Sequence, residues 1–91
     1  HTLGLKIDSL LVEIIEFIFK ATYLSGQEKI ICIKKASFKL DLLKFFLQLC
    51  WEIKSISPKR YILLSEKLNE IGKMIGGWIK QLEKTPPKSG E

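Results

Sequence analysis

The chain has a single histidine, and it is residue 1. A mechanism built on a positioned imidazole is therefore not expected. Two cysteines and that one histidine also do not supply the four ligands of a structural zinc site. The cysteines, Cys32 and Cys50, are spaced by five helical turns. On one helix they would lie about 27 Å apart, far beyond the roughly 7 Å that a disulfide spans. Their neighbours are apolar (Ile31, Ile33, Leu49, Trp51), which reads as two buried thiols in a reducing compartment. Six glycines and three prolines are too few for a turn-rich β-barrel. The longest apolar stretch, Leu10 to Phe19, is interrupted by Glu13 and Glu16 and is too short to span a bilayer. No small-residue cleavage site follows it, so a cytoplasmic location is expected. The chain opens on His1 in place of Met, from which a natural start further upstream is expected. No carboxylates converge and no nucleophile has a base beside it, so neither an enzyme nor a cofactor is expected.

What is present is 91 residues, 46% apolar and 27% charged, with a net charge of +5. The length allows one small domain, of a size that is marginal alone and often oligomerises. The apolar content excludes disorder. Three segments carry a 3.6-residue period, which predicts an all-α, up-down antiparallel bundle with helices over about residues 3–23, 27–56 and 58–84, and a flexible tail over 85–91. In the first helix Lys6, Ser9, Glu13, Glu16 and Lys20 form one narrow polar stripe, and nearly everything else is apolar. The break at Ser25-Gly26-Gln27-Glu28 reads as a capping box between Ser25 and Glu28. The second helix has a core face of Leu40, Leu43, Leu47 and Cys50, with a further apolar flank of Phe38, Leu42, Phe45, Leu49 and Ile56. Ser57 is placed to cap a third helix whose first residue is Pro58. Tyr61, Leu64, Leu68, Ile71, Ile75, Trp78 and Leu82 mark its core stripe. Two helices with more than one apolar face each carry more apolar surface than three rods can cover, and the surplus predicts a fourth helix, other subunits, or both.

Between Lys29 and Arg60 eight basic residues face only Asp41 and Glu52, so this segment carries +6. Lys34, Lys35, Lys39, Lys44, Lys59 and Arg60 are the candidates for phosphate contact. Lys59 and Arg60 lead, because they sit together at a helix start where the dipole favours anions. The plainer reading is a solvated lysine-rich surface. Phe38, Phe45, Phe46 and Trp51 fall at core-like positions rather than forming a base-stacking platform, and Tyr61 and Trp78 likewise read as core. Gly72 and Gly76 have the small-xxx-small spacing that permits a close helix crossing, and with Gly77 and Trp78 they form the candidate packing site.

Thr2-Leu3-Gly4-Leu5-Lys6-Ile7-Asp8, Glu28-Lys29-Ile30, Lys35-Ala36-Ser37-Phe38-Lys39-Leu40-Asp41-Leu42-Leu43-Lys44 and Ile71-Gly72-Lys73-Met74-Ile75-Gly76-Gly77-Trp78-Ile79-Lys80 carry a family resemblance. Over roughly residues 2–81 the chain resembles the four-helix-bundle family of 23S rRNA intervening-sequence proteins and the accessory variability determinant (Avd) proteins of diversity-generating retroelements. The resemblance implies a four-helix protomer, whose first helix is missing here, in a ring-like homopentamer. For the Avd branch it implies a basic, non-catalytic partner of a reverse transcriptase that binds nucleic acid, including retroelement RNA. For the intervening-sequence branch it implies a structural oligomer with no nucleic-acid partner.

Overall fold

A computed structural model of the chain describes residues 2–84. The expected tail over 85–91 lies outside the described residues. Three helices follow one another: α1 (Leu3–Ala21), α2 (Gly26–Glu52) and α3 (Pro58–Lys84). The described residues contain no strand.

The helix ends follow from side-chain and backbone chemistry. Thr2 caps α1, its hydroxyl accepting from the Leu5 N–H at 3.2 Å. Ser57 caps α3 in the same way, accepting from the Arg60 N–H at 3.3 Å, as its place before Pro58 predicts. The capping box at Ser25 does not form: Ser25 makes no side-chain cap bond. The helix starts on Gly26 at φ 58, a left-handed conformation that glycine adopts without strain.

The end of α2 departs from expectation by about one turn. The helix stops at Glu52, not at Ile56, because Lys54 adopts φ 60. The Lys54 N–H donates to the Trp51 carbonyl at 3.1 Å, and the Ser55 N–H donates to the Cys50 carbonyl at 2.9 Å. Those two bonds form a Schellman motif, which turns the chain out of the helix. The Ser55 hydroxyl adds a second bond to the same Cys50 carbonyl at 3.1 Å.

Cross-helix contacts fix the antiparallel order. The Cys32 thiol donates to the Phe17 carbonyl at 3.1 Å, Lys39 meets Glu13, and Lys6 lies over the Phe46 ring, so α2 ascends as α1 descends. Lys29 over Trp78 and Trp51 on Tyr61 set the same relation for α3. The core is the shared face of α2: Ile33, Ala36, Leu40, Leu43 and Leu47, with Leu10, Ile14 and Ala21 from α1 and Leu68 and Ile75 from α3. Both cysteines are buried and free.

The expected up-down antiparallel helical packing is present, as a bundle that is open between α1 and α3. α2 packs against both neighbours, while α1 and α3 do not approach each other. The chain extends 53 × 23 × 15 Å with a radius of gyration of 15.3 Å, whereas a compact domain of this length has about 12 Å. A cleft of about 880 Å³ runs between α1 and α3 over α2, with Leu3, Ile7, Leu47, Cys50, Arg60 and Leu64 among its walls.

The surplus apolar surface is exposed in two places. On α1, Leu5, Leu11, Val12, Ile15 and Phe19 face away from α2. On the back of α2, Ile31, Phe38 and Phe45 recur every seventh residue and are 51%, 64% and 54% exposed. Phe38 and Phe45 are thus not core residues, and Trp51 is also exposed, at 39%. These positions correct the core-like assignment: among the described residues no helix lies behind α2 to receive Phe38 and Phe45, and Trp51 stands at the end of α2, stacked on Tyr61. Phe46, Tyr61 and Trp78 are partly buried against the core, as expected. Leu64, placed in the core stripe of α3, is exposed at the cleft.

Candidate nucleic-acid interface

The six candidate basic residues do not form one cluster. Lys34, Lys35 and Lys39 lie on the first half of α2 around a shallow cleft of about 500 Å³, which Phe17, Ile31 and Phe38 also line. Lys59 and Arg60 stand exposed on the first turn of α3. At 1.5 Å per residue that turn lies about 20 Å along the molecule from Lys39. Lys44 lies between the two groups and leans over α3, its Nζ 3.2 Å from where a Cβ on Gly72 would stand.

Two of the six are held by carboxylates. Lys34 Nζ is 2.8 Å from Glu83 Oε2 of α3, and Lys39 Nζ is 2.8 Å from Glu13 Oε2 of α1. The hydrogen bond and charge of Lys39 hold the Glu13 carboxyl below the usual carboxylate range. Glu13 belongs to the polar stripe of α1. Its partner was not legible, because the pairing depends on the register between two helices. Among the described residues, ion pairs leave Lys35, Lys44, Lys59 and Arg60 unengaged. Lys54 adds a further cation at the α2–α3 turn, beside the Lys59–Arg60 end. The sequence places it inside the second helix, over about 27–56, with no local signal that the helix ends before it.

The glycines also separate. A Cβ at Gly72 would approach Leu40 Cδ2 at 3.4 Å, so the close crossing within the chain is at Gly72. Gly76 and Gly77 have nothing within 4 Å, so the crossing expected there is not made inside the protomer. Trp78 packs on the core, with Lys29 Nζ 5.7 Å from its ring centroid.

Among the described residues no group of His, Cys, Asp or Glu could hold a metal ion, and no helix is long and apolar enough to cross a membrane. What the arrangement offers is an all-helical surface with two basic groups and exposed apolar stripes. The chain belongs to the bAvd-like family, whose model matches residues 1–82. That membership places it with the Avd-type accessory proteins. Neither a curated relative nor a solved structure matches the chain.

Proposed function

We propose that this chain is a nucleic-acid-binding accessory protein that partners a reverse transcriptase in a diversity-generating retroelement and works as a ring-like homo-oligomer, a pentamer as in the family it resembles. The observation that carries this reading is the family match over residues 1–82, joined to the +6 segment from Lys29 to Arg60. The open layer supports the assembly: a fourth helix in the α1–α3 cleft, and other copies on the bare faces of α1 and α2, would cover what the three helices leave in water. Repetition of Lys35, Lys59 and Arg60 around a ring would multiply a modest charge into a strong field for polyanions. In this reading Gly76 and Gly77 permit close approach between copies.

RNA binding followed against salt tests the reading. Affinity should fall steeply as salt rises, because each phosphate contact releases counterions. Lys59→Glu with Arg60→Glu should weaken binding on the order of 10-fold or more at low salt, with the helical signal unchanged. Binding that ignores salt and this double variant would leave a structural oligomer of the intervening-sequence type as the better description. The ion pairs that already engage Lys34 and Lys39 favour that second description.

A further inference from the structure

The turn between α2 and α3 carries a second opening, which shares Ser55, Ile56 and Ser57 with the α1–α3 cleft. It is about 620 Å³, lined by Trp51, Glu52, Lys54, Ile56 and Pro58 together with Ser55 and Ser57. That volume falls within the roughly 300–1,000 Å³ of ligand clefts. Trp51 is stacked on Tyr61 with ring centroids 5.2 Å apart and planes 13° apart. The stack joins the last turn of α2 to the first turn of α3, so the indole plane is fixed from behind. Trp51 lines the cleft and is 39% exposed, whereas Tyr61 is not part of the lining. Glu52, the carboxylate of this lining, accepts from Gln48 Nε2 at 3.1 Å, one turn back along α2. Lys54 lines the cleft from a left-handed backbone position that glycine fills without strain. Among the described residues it has no ion-pair partner, and Lys59 follows directly after Pro58 of the cleft, while Arg60 lines the α1–α3 cleft.

We infer that this cleft takes one base of a single-stranded nucleic acid, stacked on Trp51, with the flanking phosphates held by Lys54 and Lys59. The inference rests on the nucleic-acid reading above and assigns it a place. A fixed, half-open aromatic plane beside unpaired cations is what a flexible strand recognises, since every base has a π face. A duplex hides those faces within its own stack. The strained lysine is the second sign: an ammonium is kept where the backbone disfavours any side chain, and such outliers collect at binding sites.

The full chain labelled with fluorotryptophan gives separate fluorine NMR signals for Trp51 and Trp78 without mutation. A short mixed-sequence oligoribonucleotide should shift the Trp51 signal and leave Trp78 in place, while the same sequence as a duplex should leave both. Trp51→Leu, which keeps an apolar group against Tyr61, should weaken single-strand binding on the order of 10-fold by anisotropy, with Trp51→Phe in between. Lys54→Gly should weaken binding several-fold without lowering the melting temperature, which separates lost contact from lost fold. A strand that binds yet leaves the Trp51 signal unmoved, or binds Trp51→Leu as it binds the parent chain, overturns this site and leaves the accessory reading intact. If no single strand binds at low salt, both readings fall together.

Discussion

At residue scale the molecule is most informative where a side chain occupies a backbone conformation unsuited to it. A left-handed conformation costs a non-glycine residue roughly 1–2 kcal/mol through its Cβ, and Lys54 bears that cost at φ 60. Glycine in its place would lose some of the gain through a freer unfolded chain, by about 0.4–1 kcal/mol. Lys54→Gly should thus stabilise the protein by about 0.5–1 kcal/mol, which for a domain of this size raises the melting temperature by about 2–8 °C. Thermal denaturation by circular dichroism checks it, and a lower melting temperature would show that Lys54 is not strained. This residue also marks a limit of the sequence. Glycine there would have announced the end of α2, whereas Lys-Ser-Ile-Ser continued the helical period and hid it. The buried positions were easier: Leu40, Leu43, Leu47 and Cys50 repeat at helical spacing, and all four are buried.

At the scale of elements, helix ends and helix pairs separate what local sequence decides from what packing decides. Ser57 and Thr2 cap their helices through their hydroxyls, and Ser25 does not. Ser57→Ala should therefore cost about 1 kcal/mol, and Ser25→Ala should fall within about 0.5 kcal/mol of the parent. Denaturant unfolding of both variants measures the contrast, and equal losses would mean that the Ser25 hydroxyl does cap α2. The α1–α2 link through Glu13 and Lys39 makes a separate prediction. Because the folded carboxyl is held below its ordinary pKa, its contribution is fully present above the unfolded value and is lost as pH falls through the lowered folded value. Lys39→Met should return the Glu13 titration, followed by NMR, to the ordinary carboxylate range. A titration unmoved by the substitution would show that the link is not made. The segments themselves were legible because periodicity and Pro58 are local signals. Which lysines are tied down was not, because Glu83 lies far from Lys34 in sequence and only the α2–α3 register brings them together.

For the whole molecule the deciding observation is that three helices lie in an open layer with apolar stripes in water on α1 and on the back of α2. The sequence already carried the surplus, since both helices are apolar on more than one side. Which residues bear it had to come from packing: Phe38 and Phe45 look like core in a linear reading and become surface once α1 and α3 take the other side of α2. Phe38→Glu should lower the mass measured by light scattering while the helical signal persists, and Gly76→Leu should do the same if copies cross at that glycine. A parent chain that is monomeric and binds no hydrophobic dye would refute the assembly.

Among the described residues the same layer makes α2 the joint between the outer helices, and α1 meets it more extensively than α3 does. Among the described residues α1 and α3 are coupled through this shared spine, so the protomer need not melt as one unit. In amide hydrogen exchange the α3 amides should lose protection first, with α1 and α2 opening later as a pair. Whatever bridges the two outer rods in an assembly would then act as a clamp, making the exchange of all three concerted and turning subunit association into the event that makes the fold cooperative.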